Sequence, residues 1–426
     1  MIASFSVSNY RSIWEEQSIS MLTTSENTNR DLISVEVAKG VYINKLAIFF
    51  GANASGKSNM LEALESLFML LYMPSKDKKR AIPQYNPFAL DNEAPICMKM
   101  EFYIDGRRYI YDIKYNKNFI EEENLYFVPT RSKALFYTRK YVGPDAQPSI
   151  EFGNKLGLLF KTKESIREAT FNNHTVLSSI AKISLKEDAN ELISLYNWIA
   201  AHVHNINGDN VSRYYVSELD KVNSDLRKKE FYVKLLSKAD FNITDFKLVD
   251  NRSNLSKDYV SAVVNDTEIS EEERRLYLSQ VMFTNHSKNG DFELPLESQS
   301  GGTLRFIELL EALYDMVTDS HIYFLDELGN RMHYDLLVYY LALFLYNSDN
   351  SQLFFTSQSI LLLNEDFIRR DIVYLAEKDP DSASTTYTRV SDMGLHKNIS
   401  LFNAYRIGKL GSKPELGSPY LNLSKF

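Results

Sequence analysis

Hydrophobic and polar positions change their period several times along this chain. Near the start Phe5-Ser6-Val7 alternates and Asn9-Tyr10-Arg11-Ser12 interrupts, which predicts strands and turns over the first forty residues. Lys45-Leu46-Ala47-Ile48-Phe49-Phe50 is almost continuously apolar, the pattern of a strand buried on both faces. It stops at Gly51, and the apolar residues from Asn59 to Leu67 then recur at helical spacing. Between Ile96 and Tyr141 the pattern alternates again, rich in aromatics, and Asp105-Gly106 marks a hairpin turn in a small antiparallel sheet. Residues 160–285 read as predominantly helical, with amphipathic spacing over Glu187–His202 and Ser217–Lys238. Ser270, followed by Glu271, Glu272 and Glu273, has the form of a helix start. From Leu294 the α/β pattern resumes: a helix over Thr303–Val317, a buried strand over His321–Leu325, a helix over Tyr334–Tyr346, and strands over Gln352–Thr356 and Ile372–Ala376. The tail to Phe426 is mixed.

Composition narrows this picture only a little. The 426 residues are 44% hydrophobic and 24% charged, which excludes wholesale disorder and suits more than one compact unit. A single cysteine, Cys97, excludes an internal disulfide and a thiolate zinc cluster and fits a reducing compartment. The longest apolar runs, Leu67–Met73 and Leu336–Tyr346, fall short of the about 20 residues that span a bilayer. The first residues lack the basic and apolar segments of a secretion signal. The expectation is a soluble, cytoplasmic protein with no membrane partner. A net charge of -8 argues against a dedicated DNA-coating domain, while Lys76, Lys78, Lys79 and Arg80 form one local basic cluster whose plainer reading is a solvated loop. The seven histidines show no metal-ligand spacing, and no nucleophile elbow is evident.

The chemistry is concentrated in four places. Gly51-Ala52-Asn53-Ala54-Ser55-Gly56-Lys57-Ser58 matches G-x-x-x-x-G-K-[ST] in full, between a strand and a helix that opens near Asn59. In such a loop backbone N–H groups surround phosphate oxygens, Lys57 reaches the β and γ phosphates, and Ser58 ligates Mg²⁺; the expected nucleotide contacts run from Gly51 to Asn59, and ATP with Mg²⁺ is the expected ligand. The strand Ile322-Tyr323-Phe324-Leu325 ends in Asp326, placed for the metal shell, and Glu327, placed to polarise an attacking water. Gln299-Ser300-Gly301-Gly302-Thr303 precedes a helix, with Thr303 23 residues ahead of Asp326. It resembles the LSGGQ signature of ABC-type ATPases, and the hydroxyl of Ser300 with the Gly301-Gly302 backbone offers anion-binding donors at a helix start. Finally, the strand over Gln352–Thr356 leads to Gln358, where ATPase heads of this class carry a switch histidine.

Lys57 and Asp326 are 269 residues apart, too far for a simple GTPase core, and the gap suits an ABC-type head interrupted by an arm, as in the SMC, RecF and Rad50 relatives. Several further stretches add to this: Phe5 with Asn9-Tyr10-Arg11-Ser12, Asn86-Pro87-Phe88, Glu297-Ser298, Asp326-Glu327-Leu328-Gly329-Asn330-Arg331-Met332-His333, Arg369-Arg370-Asp371, and Gly408 to Pro414. Together they resemble the bacterial AAA-like/ABC-type ATPases of abortive-infection (AbiL-type) antiphage operons, related also to the overcoming-lysogenisation-defect ATPase heads. The chain departs from them at Gln358, at Tyr334 where a proline commonly follows the histidine, and at Arg406-Ile407-Gly408 where they tend to Arg-Tyr-Gly.

The expected fold class is therefore α/β: an ABC-type P-loop ATPase head, a mixed sheet flanked by helices plus an antiparallel β subdomain, with an inserted mainly helical lobe. The expected parts are 1–155 (P-loop and β subdomain), 156–288 (helical lobe) and 289–426 (signature, Asp-Glu strand and switch strand). The resemblance implies a homodimer with composite sites, each uniting Lys57, Ser58, Asp326 and Glu327 of one chain with Ser300, Gly301 and Gly302 of the other. It also implies an ATPase, slow because Gln358 cannot change charge, that regulates a separate effector protein in antiphage defence. The alternative is a RecF- or SMC-like clamp on DNA. Ile372–Glu377 with Asp379-Pro380-Asp381 faintly resembles the start of a TOPRIM nuclease, but only 49 residues follow Glu377, and no nuclease activity is expected. For His333 a place at a dimer seam and a helix-capping role are equally open.

Overall fold

The apolar run Leu46–Phe50 is buried along its whole length and occupies the interior of a six-stranded sheet. Across that sheet the order is Val203–Asn205, Ile322–Leu325, Gln352–Thr356, Leu46–Phe50, Val373–Lys378, Thr385–Arg389. The first five strands are mutually parallel and only the last runs antiparallel. Parallel strands covered on both faces need apolar residues at successive positions, and all four residues of Ile322–Leu325 are buried as well. A parallel arrangement also puts the carboxyl ends of Leu46–Phe50, Ile322–Leu325 and Gln352–Thr356 at one edge, where α/β folds gather their ligands. The helix Lys57–Tyr72 packs against these strands, with Phe68 against Phe324 at 6.0 Å between ring centroids. The computed structural model describes residues 1–26, 28–129, 132–185, 187–205, 211–239, 241–396 and 398–411.

The expected antiparallel sheet is larger than the hairpin that announced it. Seven strands run in the order Ser149–Phe152, Ala134–Lys140, Ile120–Val128, Arg107–Tyr115, Ile96–Ile104, Ile2–Ser8, Gln17–Ser20. The Asp105-Gly106 turn is present, with φ of 49° and 74°, the paired left-handed conformation that a two-residue hairpin favours. The fully buried Gln352 joins the two sheets. Its Oε1 accepts from the Ile2 amide at 2.5 Å, and its Nε2 donates to the carbonyls of Ile2 (2.9 Å) and Asn44 (3.1 Å).

Two compact units result: Met1–Ile206 with Ser320–Leu328 and Asp349–Phe426, and Asn207–Asp319 with Gly329–Ser348. This division differs from the expected 1–155, 156–288 and 289–426. Residues 156–205 group with the first unit because the strand Val203–Asn205 extends its parallel sheet, and the helix Gly301–Thr318 groups with the second. Nor is the second unit purely helical. Besides its helices it holds a three-stranded sheet of Ile243–Asp250, Ser279–Ser287 and Gly290–Pro295. Val281, Phe283 and Asn285 are buried at alternate positions, a strand period that the surrounding helical spacing concealed. The expected helix over Ser217–Lys238 is broken at Asp225, whose carboxylate accepts from the amides of Arg227 (2.9 Å) and Lys228 (3.1 Å) and so starts a new helix. Ser270 caps its helix as expected, in a reciprocal box with Glu273.

Among the described residues no helix is long and apolar enough to cross a membrane. Lys76, Lys78, Lys79 and Arg80 are exposed in a loop. Asp379 accepts from the amides of Asp381 (3.1 Å) and Ser382 (2.7 Å), so the acidic stretch there is a turn between two strands. Past residue 411 the Gly408–Pro414 stretch and the tail to Phe426 lie outside the described residues.

Candidate nucleotide site

In the first unit the chain leaves the Leu46–Phe50 strand, curls through Gly51–Gly56, and enters the helix at Lys57. Ala54 (φ 60°) and Gly56 (φ 93°) take left-handed conformations that close the curl. At Gly56 a Cβ would approach Thr385 Oγ1 to 2.4 Å and Ser12 Oγ to 2.8 Å, so only glycine fits. These neighbours clasp the loop from behind. Thr385 Oγ1 donates to the Ser55 carbonyl at 2.9 Å, and the Tyr387 hydroxyl donates to the Gly56 carbonyl at 2.5 Å. Ser12 and Thr385 hydroxyls are 2.6 Å apart, and Asn59 Nδ2 donates to Ser12 Oγ at 2.5 Å. Asn59, expected among the nucleotide contacts, thus turns toward Ser12.

Lys57 is 7% exposed and bends back over the loop, with Nζ donating to the carbonyls of Gly51 (3.0 Å) and Ala52 (2.8 Å). Burial pushes its pKa down, opposed by the nearby carboxylates of Glu327 and Asp326. Ser55 Oγ is buried with no hydrogen-bond partner in the structure, an orphaned polar atom inside the cradle. With it come the amides that open the helix, which have no carbonyl four residues back. Gly51 to Ser58 therefore fit an anionic phosphate ligand.

Asp326 and Glu327 follow the Ile322–Leu325 strand and are held by its neighbour. Asp326 Oδ1 accepts from Ser58 Oγ at 2.8 Å and from Thr356 Oγ1 at 2.6 Å. Thr356 Oγ1 in turn accepts from the Glu327 amide at 2.8 Å. Glu327 Oε1 accepts from Gln358 Nε2 at 2.5 Å. One hydrogen-bonded series thus runs from Ser58 through Asp326, Thr356 and Glu327 to Gln358. Glu327 itself is left-handed, with φ 49°. The Ser58 hydroxyl and the Asp326 carboxylate make a hard-oxygen pair that fits Mg²⁺. The four residues expected from the motifs converge, together with Gln358. Thr356, Thr385 and Tyr387 are additions that no motif marks, and Ser12, which closes the Asn9–Ser12 stretch, gains a place behind the loop.

A family model described as "AAA domain, putative AbiEii toxin, Type IV TA system" matches residues 46–364. The chain belongs to this AAA family. In this AAA-family protein the mixed sheet that carries the phosphate loop and the separate antiparallel sheet make up the expected α/β architecture. No curated protein matches it. Among solved structures it is similar to the SMC head domain from Thermotoga maritima, with a TM-score of 0.41 and 10% identity over 91% of this chain and 98% of that one. It is also similar to an SMC head with an extended coiled coil bound to the C-terminal domain of ScpA, derived from Pyrococcus furiosus, with a TM-score of 0.39 and 12% identity over 97% and 99%.

Two further elements tie the N-terminal stretch of this AAA protein to its first unit. Asn9 Nδ2 donates to the carbonyls of Asp91 (3.1 Å) and Ala94 (2.7 Å), while its Oδ1 accepts from the Phe88 amide at 3.1 Å. The Arg11 amide donates to the Asn86 carbonyl at 2.8 Å, so the Asn9–Ser12 and Asn86–Phe88 stretches are structurally coupled. Arg11 pairs with Glu62 at 2.6 Å; burial pushes the Glu62 carboxyl up and Arg11 opposes it.

The signature lies in the second unit. Ser300 caps the helix Gly301–Thr318, its Oγ accepting from the Thr303 amide at 3.1 Å and lying 2.8 Å from Thr303 Oγ1. Ser300 and Gly301 are exposed. A Cβ on Gly302 would stand 3.0 Å from the Arg331 carbonyl, and Arg331 has φ 63°. His333 caps the helix Tyr334–Asn347, its Nδ1 accepting from the Asp335 amide at 3.3 Å.

Proposed function

We propose that the protein is an ATP-hydrolysing, ATP-dimerised regulator of a separate effector in bacterial antiphage defence. The observation that carries the enzymatic part is the hydrogen-bonded series from Ser58 to Gln358, which aligns two hydroxyls, two carboxylates and a side-chain amide beside the Lys57 ammonium. On this reading Gly51–Ser58 receive the phosphates, and Lys57 exchanges its loop carbonyls for phosphate oxygens. Ser58 and Asp326 hold Mg²⁺, which supplies charge neutralisation at the phosphates. Glu327 orients and deprotonates the attacking water. Gln358 holds the Glu327 carboxylate through its uncharged side-chain amide, and turnover is slow because that amide cannot take up a proton in this range.

Ser300, Gly301 and Gly302 of a second copy complete each site, giving a twofold dimer with two composite sites. The exposed cap at Ser300 and Gly301 supports this, because a helix start left open to solvent can receive a phosphate from another chain. The antiphage role rests on the family's toxin–antitoxin description. The test is Glu327→Gln, purified with Mg-ATP from cells that carry the native gene neighbourhood. It is expected to be an ATP-loaded dimer with a stoichiometric partner protein, whereas Lys57→Ala is monomeric and binds no ATP. Normal hydrolysis by Glu327→Gln overturns the base assignment. Nuclease-sensitive DNA in place of a protein partner replaces the effector reading with a clamp.

A further inference from the structure

Just before the helix Tyr334–Asn347 the chain makes a tight turn. The Met332 amide donates to the Gly329 carbonyl at 3.2 Å, and Arg331, third in that turn, has φ 63°. Glycine or asparagine is usual at such a position, because a Cβ is poorly tolerated there. Here an arginine is held against the helix start at Ser300. Its carbonyl stands 3.0 Å from where a Cβ on Gly302 would lie, and its Cδ 3.7 Å from where one on Gly301 would lie. The guanidinium continues from that Cδ beside the first turn of the helix Gly301–Thr318. There the Tyr215 hydroxyl donates to the Leu304 carbonyl at 3.2 Å. Burial and then Glu308 push that hydroxyl up to about 12, and Arg305 and Arg331 oppose the rise. All of these residues belong to the second compact unit.

This is the unfavourable end of a helix for a cation. The amides that open it carry partial positive charge, and a guanidinium beside them is repelled unless an anion joins them. Among the described residues Arg331 makes no hydrogen bond or ion pair. Glu308, on the second turn, is taken by Arg305 at 2.8 Å. Arg331, Ser300 and Gly301 are all exposed.

We propose that Arg331 binds the terminal phosphate of a nucleoside triphosphate held by the phosphate loop of a second copy of this chain. The assignment rests on the composite dimer proposed above, and adds a charged group where Ser300, Gly301 and Gly302 offer only neutral donors. A guanidinium presents paired N–H donors to two phosphate oxygens at once and stays charged at every working pH. A diphosphate lacks the group that Arg331 binds, so the residue makes the dimer specific for the triphosphate. Cleavage of the terminal phosphate then removes a contact that holds the two copies together.

The experiment mixes full-length variants and measures hydrolysis of Mg-ATP. Arg331→Ala alone is expected to lose at least about ten-fold in turnover, the size of one charge-assisted hydrogen bond, while each monomer still binds ATP through its own Lys57. Lys57→Ala alone is inactive. An equimolar mixture of the two regains activity, because each mixed dimer has one site in which an intact loop faces an intact Arg331. Millimolar guanidinium restores turnover to Arg331→Ala and does nothing for Lys57→Ala, which separates a lost phosphate contact from a loosened turn. Gly301→Asp mixed with Lys57→Ala is the control for the composite site itself. Recovery in that control without recovery in the Arg331→Ala mixture overturns the proposal and leaves the dimer standing, as does full activity of Arg331→Ala or a failure of guanidinium to rescue it. No recovery in either mixture refutes the composite dimer, and the assignment of Arg331 falls with it.

Discussion

Thr356 is the residue on which the arrangement of both carboxylates turns, and replacing it by valine isolates what its hydroxyl does. The side chain is fully buried, so valine fills the same space and opens no cavity. What disappears is one hydrogen bond to the Asp326 carboxylate and one from the Glu327 amide. A hydrogen bond to an ionised group contributes about 1.5–3 kcal/mol and a neutral one about 1 kcal/mol. The Thr356→Val protein is therefore expected to be less stable by about 3 kcal/mol in urea unfolding. Glu327 suffers more than stability. Its left-handed backbone costs roughly 1–2 kcal/mol, and the Thr356 hydroxyl is the group that holds its amide in place. Once released, the residue relaxes to negative φ and its carboxylate leaves the site, so steady-state hydrolysis of Mg-ATP should fall at least about ten-fold, one factor of ten for each 1.36 kcal/mol of barrier. Thr356→Ser keeps the hydroxyl and should recover most of both. A Thr356→Val protein as active and as stable as wild type would refute the reasoning, as would a serine variant equally impaired.

Other consequences are measurable with the same tools. Gln358→His restores a group that can carry charge beside Glu327 and should raise turnover several-fold in the same assay; unchanged turnover would remove position 358 from the rate-limiting step. Arg369 and Asp371 form a fully buried pair, bonded at 2.9 Å through the guanidinium Nε, so Arg369→Ala should destabilise by about 3–5 kcal/mol in urea unfolding. Burial pushes the Asp371 carboxyl up, but Arg369 and the Thr24 amide outweigh it and hold the pKa below its ordinary value. That contribution is present above the ordinary carboxylate range and is lost as pH falls through the lowered value. His174 is buried and its pKa is lowered to about 3, by burial first and then by Lys182 and Arg139. Its unfolded form takes up a proton below about pH 6.5, so stability is intact above that pH and falls by about 2 kcal/mol at pH 5. His174→Gln should flatten that loss in unfolding curves compared at pH 5 and 7.5.

The parts of the site that could be read from the sequence are the ones built from consecutive residues. Eight residues from Gly51 to Ser58 carry a complete motif because a phosphate cradle is a local backbone shape, and Asp326-Glu327 follows an apolar strand that announces itself. Thr356 was legible only as the end of a strand, since its role depends on which strand lies beside it. Thr385 and Tyr387 were illegible for the same reason, since they support the loop from a strand far away in sequence, and Ser12 stood out only as part of the Asn9–Ser12 stretch, without its contact to the loop. In the fold, the Asp105-Gly106 hairpin and four of the five parallel strands were evident from turn chemistry and apolar runs, while Val203–Asn205 lay in a stretch read as helical. The sheet of the second unit was not, because Val281, Phe283 and Asn285 alternate within a stretch where charged, helix-like spacing dominates on either side.

The interior position of Leu46–Phe50 has a consequence for synthesis. This strand is made well before both of its partners, Gln352–Thr356 and Val373–Lys378, which lie about 300 residues downstream. Until they emerge, five apolar residues with good β-propensity have no ladder to join, and loop closure over that span makes their eventual pairing slow. The phosphate loop has its helix but no clasp, because Thr385 and Tyr387 are made later still. The nascent chain therefore carries an unpaired, aggregation-prone segment until those strands are made. A chain released before Thr385 and Tyr387 are made lacks the hydroxyls that hold the Ser55 and Gly56 carbonyls.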